Sequence, residues 1–108
     1  MAEDLQDAVT ATSGSGPAYF FAFVESMVKG AVGLGLSEEV ATQLTVQTII
    51  GAAELLATSG KSATTLRENV TSPNGTTYAA LQAFAASDLE KIVASAMKAA
   101  RDRSIELS

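Results

Sequence analysis

The chain has 108 residues, room for one modest domain around a single core. Hydrophobic residues make up 47%, which excludes global disorder, and a net charge of −5 with few, scattered basic residues excludes a nucleic-acid surface. Cysteine and histidine are both missing, so there is no disulfide framework, no thiolate or imidazole metal site, and no histidine general base.

Alanine dominates the apolar fraction, aromatics are only 6% and there is no tryptophan. With no strand-type alternation and no hairpin turn between β-branched runs, this composition predicts an all-α chain of closely packed helices. No charged-then-apolar leader opens the chain, so a cytoplasmic location is expected. Asn69-Val70-Thr71 and Asn74-Gly75-Thr76 fit the glycosylation pattern, but without a leader both read as chance matches.

Residues 1–6 are short and acidic and read as an entry segment or the scar of a cut. Residues 7–12 are mildly apolar and begin either a helix or an extended lead-in. Ser13-Gly14-Ser15-Gly16-Pro17 reads as a sharp break, with Pro17 suited to the first helical position. It superficially resembles a glycine-rich phosphate loop, yet it fits neither glycine fingerprint and no strand precedes it. A helix start placed close to another backbone is the better reading.

Residues 18–34 predict a long helix, with Tyr19, Phe20, Phe21, Phe23, Val24, Met27, Val28, Ala31, Val32 and Leu34 around nearly all its sides. Glu25 and Lys29, spaced i,i+4, are its only charges and are expected to support each other. The segment is too short and too interrupted for a membrane span. Gly30, Gly33 and Gly35 suggest a close backbone approach or a helix stop. A helix apolar all round must be surrounded, and a chain of this size has little material to do it. The expectation is a helical bundle that completes its core by intertwined homodimerisation across a large apolar interface.

Ser37-Glu38-Glu39 restarts the chain with a hydroxyl cap and first-turn acids, and the helix is expected to run to about residue 59, ending at Gly60. Val46, Ile49, Ile50, Ala53, Leu56 and Ala57 form its apolar stripe. Residues 62–70 predict a shorter helix, capped by Ser62 or Thr65, with Thr65 and Glu68 fitting a capping box. Residues 78–86 predict the next helix, and Ser87-Asp88-Leu89-Glu90 a capping-box start to the last, which runs to about residue 107. Leu89, Ile92, Val93, Ala96, Ala100 and Leu107 form its apolar face, and Arg101 and Arg103 suit the C-terminal dipole.

The stretch Thr71-Ser72-Pro73-Asn74-Gly75-Thr76-Thr77 carries the chemical signal. Pro73 fixes φ, Asn74-Gly75 is a strong turn pair, and Thr76 and Thr77 fall in the first turn of a helix. Up to four backbone N–H groups there lack helical partners, and the dipole adds about half a positive charge. With the hydroxyls of Ser72, Thr76 and Thr77 beside them, they make a cradle for a carboxylate or phosphate. The plainer alternative is a turn with a threonine cap that merely starts a helix.

Asp7-Ala8-Val9-Thr10 followed by Ser13 to Phe21, then Gln47-Thr48-Ile49-Ile50-Gly51-Ala52-Ala53, then Leu66 to Thr77, resembles the C-terminal dimerisation domain of pyrroline-5-carboxylate reductase. The likeness spans nearly the whole chain, with both signature stretches in order. It implies the last step of proline synthesis, in which NADPH or NADH reduces the ring C=N of 1-pyrroline-5-carboxylate to L-proline. It also implies an all-helical module that dimerises, with dimers assembling further into decamers. By position, Ser72, Asn74, Gly75, Thr76 and Thr77 would line the substrate carboxylate. Thr77 would stand near the ring nitrogen as proton donor or relay, and Thr10 and Pro17 would approach the nicotinamide end of the cofactor.

Two departures follow from the resemblance. Asn74 stands where the family usually has a second glycine. The Rossmann domain that the family places ahead of this region is not in the sequence, so residues 1–108 are expected to be one helical dimerisation and substrate-binding domain without reductase activity of its own. No metal and no membrane are expected, and the partners are a second copy and the small imine or proline. Two other readings stay open: a helical oligomerisation module without catalysis, and an unrelated helical interaction protein that docks a partner helix.

Overall fold

The computed structural model describes residues 5–108, and every regular element in them is a helix. Helix α1 (Gln6–Val9) passes directly into a π-helical turn, Thr10–Gly14, and only Ser15 separates that turn from α2 (Gly16–Gly33). The break expected at Ser13 to Pro17 is therefore a change of helical pitch, not a loop. The Ser15 amide donates to the Thr10 carbonyl at 2.9 Å, five residues back, which is the π spacing. Pro17 stands second in α2, where its missing N–H breaks no helical bond.

Helix α2 ends in a Schellman motif, which satisfies two of its last carbonyls. The Leu36 amide donates to Ala31 O at 3.2 Å and the Gly35 amide to Val32 O at 3.0 Å. Gly35 sits at φ 110°, the conformation that made it the stop. Glu25 and Lys29 form no ion pair among the described residues, contrary to their spacing. Exposed side chains gain little from such a pair, and ordering both would cost rotamer freedom.

Helix α3 (Glu38–Thr58) starts where the sequence indicated: the Ser37 hydroxyl accepts from the Val40 amide at 3.2 Å. By length and composition α3 could cross a membrane. Its buried face is Ala41 and Thr45, one helical turn apart, whereas Val46, Ile50 and Leu56 of the expected stripe stay open. Helix α4 (Ala63–Asn69) is capped by Ser62, whose hydroxyl accepts from the Thr65 amide at 3.1 Å. That settles the choice between the two capping candidates.

Helix α5 (Thr76–Ala86) begins two residues before Tyr78, with Thr76 and Thr77 in its first turn as the turn chemistry indicated. Between α5 and α6 (Leu89–Leu107) the chain turns on Asp88, which adopts φ 59° and makes no side-chain cap. The expected capping box is absent because a left-handed Asp88 already redirects the backbone. Arg101 and Arg103 do not serve the helix end either. Arg101 binds Asp102 at 2.9 Å and Arg103 binds Glu106 at 2.9 Å, both before the last turn.

The chain falls into two compact units, one running through Ala22 and from Gln82 to Ser108, the other Phe23–Leu81. In the first, α6 packs on α1 and on the π-turn. The Ser104 hydroxyl donates to the Asp7 carboxylate at 2.7 Å, tying α6 to α1. In the second, α3 packs on α4. Among the described residues neither unit buries a large side chain fully. Phe20, Phe21, Ile50, Leu55 and Leu56 are each more than half exposed. The apolar faces are made by the sequence but not covered among the described residues.

Candidate anion site at the start of helix α5

Ser72-Pro73-Asn74-Gly75 forms a turn closed by the Gly75 amide donating to Ser72 O at 3.0 Å. Pro73 occupies the first corner and Asn74, at φ 60°, the second, the arrangement of a type II turn. Asn74 answers that backbone demand, since Asn tolerates the left-handed region. Gly75 has a different reason. A Cβ there would lie 3.2 Å from Ser72 O and 3.4 Å from Ser72 Cβ.

The turn delivers the chain into α5 with its first amides bare. The first backbone bond into the helix is from the Ala79 amide to Gly75 O at 3.1 Å. Among the described residues nothing accepts from the amides of Thr76, Thr77 or Tyr78. Helices α3 and α4 each have a serine hydroxyl folded back onto the first turn; α5 has none. The hydroxyls of Ser72, Thr76 and Thr77 likewise make no hydrogen bond within the described residues, whereas the neighbouring Thr71 hydroxyl is committed to Arg67 O. Gly75 and Thr77 are half-buried, and Ser72, Asn74 and Thr76 are exposed. Three convergent amides, three spare hydroxyls and a positive helix end therefore meet in one small region of the second unit. A carboxylate accepting from them would gain about 1.5–3 kcal/mol per charge-assisted bond before its desolvation is counted.

Of the residues expected to serve the cofactor, Thr10 and Pro17 belong to the other unit. Pro17 is exposed on the first turn of α2. Thr10 lies in the π-turn, its hydroxyl donating to Gln6 O at 3.1 Å. Thr10 also lines an open groove of about 340 Å³ with Ser15, Ala100, Arg103, Ser104, Leu107 and Ser108. The Arg103 side of that groove escaped the sequence reading, which had assigned the arginine to the helix dipole. The amide of Tyr78, without an acceptor among the described residues, also escaped it, because the helix was started on Tyr78 rather than ahead of it.

The described residues thus combine an all-helical fold, uncovered apolar faces and a bare helix start beside spare hydroxyls, which is the character of a module that associates through its helices. Residues 3–107 match the family model described as pyrroline-5-carboxylate reductase dimerisation, and the chain belongs to that family. It is 51% identical over 102 residues to the pyrroline-5-carboxylate reductase of Pseudomonas aeruginosa, covering 94% of this chain and 37% of that protein. It is 42% identical over 106 residues to the Arabidopsis thaliana reductase, covering 98% and 38%. Among solved structures, a Coxiella burnetii pyrroline-5-carboxylate reductase matches with a TM-score of 0.96 at 41% identity, over 100% of this chain and 40% of that one. The Plasmodium falciparum pyrroline carboxylate reductase with NADP bound matches with a TM-score of 0.91 at 36% identity, over 96% and 42%. The chain thus spans about two fifths of the length of these relatives.

Proposed function

We propose that this chain is the dimerisation and substrate-carboxylate-binding part of an NAD(P)H-dependent reductase that converts 1-pyrroline-5-carboxylate to L-proline. The observation that carries the reading is the set of uncapped amides at Thr76, Thr77 and Tyr78, presented by a turn whose geometry requires residues such as Asn74 and Gly75.

In this reading the amides and the hydroxyls of Ser72 and Thr76 hold the substrate carboxylate and so fix the ring. The ring carbon of the C=N bond accepts a hydride and the nitrogen accepts a proton, which together make the amine of proline. A nicotinamide cofactor supplies the hydride when bound. The Thr77 hydroxyl serves the nitrogen as relay, because an alcohol is too weak an acid to give a proton up without a water behind it. Thr10 and Pro17 border the nicotinamide end. Among the described residues there is no strand–glycine–helix crevice for a dinucleotide. Residues 1–108 alone therefore have no reductase activity in this account, and the reaction runs in the cytoplasm when a cofactor-binding region is supplied.

The partner is a second copy, with dimers assembling further into decamers. A folded monomer of this mass exposes about 5,700 Å². This chain exposes 8267 Å². The excess, roughly 2,500 Å² per copy, is on the scale of an obligate dimer interface. The faces of α2 and α3 left open by the chain fit burial against the same faces of the partner rather than lipid. An oligomerisation module without catalysis would explain those faces equally well, but not the bare start of α5.

The test is an exchange. This chain replaces the matching 102 residues of the Pseudomonas aeruginosa reductase. The reading requires the chimera to oxidise NAD(P)H in the presence of 1-pyrroline-5-carboxylate; a folded, dimeric chimera without turnover would contradict it.

A further inference from the structure

The π-turn creates a specific vacancy in the hydrogen-bond ladder. In a regular α-helix the Ser15 amide would donate to Ala11 O; here it reaches one residue further, to Thr10 O at 2.9 Å. Ala11 is 2% exposed, so water is a poor substitute partner for its carbonyl. The Tyr19 hydroxyl takes it instead, donating to Ala11 O at 2.6 Å across a half-buried contact. Tyr19 stands on the first turns of α2, and everything involved lies in one unit.

The extra residue in the π-turn rotates the preceding helix by about 100° about its axis and shifts it by about 1.5 Å. That rotation decides which side chains of Thr10–Gly14 and α1 face α6. Thr10 and Ser15, the residues at either end of the turn, both line the groove that α6 closes with Ala100, Arg103 and Ser104. Asp7, on the rotated helix, meets Ser104 at 2.7 Å.

We propose that Tyr19 is a positioning residue: its hydroxyl, by satisfying the carbonyl of Ala11, holds the π register that turns Thr10 and Ser15 into the groove beside α6. Without it, a buried carbonyl favours return of the Ser15 amide to Ala11 O, regular α pitch, and a Thr10 directed elsewhere. The consequence for cofactor binding rests on the reading that Thr10 borders the nicotinamide; the effect on helical register does not.

Tyr19→Phe keeps the ring and deletes only the hydroxyl, so it separates the hydrogen bond from packing. In residues 1–108, nuclear magnetic resonance is expected to show large shift changes confined to residues 6–16 and loss of the Asp7–Ser104 contact, with helix content and dimer unchanged. Unaltered shifts at Thr10 to Ser15 would overturn the proposal. Should the variant fail to fold, the unmodified chain decides: the Ser15 amide is expected to exchange as slowly as its helical neighbours, and free exchange would overturn the proposal. In the chimera with a cofactor-binding region, Tyr19→Phe is expected to raise KM for the nicotinamide cofactor about fivefold, as loss of one ordinary hydrogen bond would, while kcat changes less than about twofold. A register change without that KM effect keeps the role of Tyr19 in the turn but removes Thr10 from the cofactor site. A KM effect without the register change overturns the proposal.

Discussion

The Gly75 amide donates to Ser72 O at 3.0 Å, and a Cβ added to Gly75 would stand 3.2 Å from that same oxygen. The bond that shapes the turn ahead of α5 and the contact that restricts its sequence are therefore one feature. Gly75→Ala must open the turn by a few tenths of an ångström. It is expected to cost about 1 kcal/mol in urea denaturation. Proline binding should weaken more than stability does, because the three amides are aimed by this turn. Equal affinity in the variant would show that the amides do not depend on the turn.

Asn74 at φ 60° makes a second prediction. Asn74→Gly is expected to leave stability within about 0.5 kcal/mol, because glycine accepts this region without strain but adds freedom to the unfolded chain. Asn74→Val should cost about 1–2 kcal/mol, since a branched Cβ clashes in the left-handed region. Thermal midpoints of the two variants check the ordering; equal midpoints would mean that the turn rearranges.

Phe20 is 62% exposed and Phe21 68% exposed on the first turns of α2. Charges placed there should not disturb a fold that leaves them in the open, but should prevent association through that face. Phe20→Glu with Phe21→Glu is expected to convert the dimer to a helical monomer in sedimentation. A double variant that remains dimeric would move the interface elsewhere.

Asp102 gives a pH dependence. Hydrogen bonds from Lys98, and next from Arg101, hold its carboxyl below the usual carboxylate range. The folded value is below the unfolded one, so the contribution is present above about pH 4, the unfolded value, and is lost as pH falls through the folded value. The pair is exposed and the effect small. Asp102→Asn should therefore flatten the acid limb of stability slightly and leave stability at neutral pH nearly unchanged. A steep loss at pH 7 would mean that Asp102 does more than pair with these cations.

Thr77 is half-buried in the first turn of α5 with a hydroxyl free of partners among the described residues. In the chimera, Thr77→Ala is expected to lower kcat by at least about tenfold while leaving the dimer intact. An unchanged kcat would leave Thr77 a place in binding only.

The helices were legible because their starts are written in local chemistry. Ser37 and Ser62 cap the helices that follow them, and Gly35 and Gly60 take the positive φ that ends the helices before them. The turn ahead of α5 was legible for the same reason: Pro73, Asn74 and Gly75 specify it without reference to the rest of the molecule. Three features were not. The π-turn at Thr10–Gly14 looks like a glycine-rich break because pitch depends on a bond from Tyr19, eight residues from its acceptor. Asp88 satisfies a capping pattern but takes a left-handed turn, since connecting α5 to α6 outweighs a side-chain cap. The face of α3 that the chain buries is the small one, Ala41 and Thr45, while the large apolar residues wait for a partner that hydrophobic periodicity cannot identify.

The most direct measurement is a titration of the isotopically labelled dimer with L-proline, followed by amide resonances. The account predicts saturable shifts centred on Thr76, Thr77 and Tyr78, weakened in Gly75→Ala and not reproduced by a proline amide that lacks the carboxylate. No shift at those three amides at millimolar proline, or equal shifts with the amide, would contradict it.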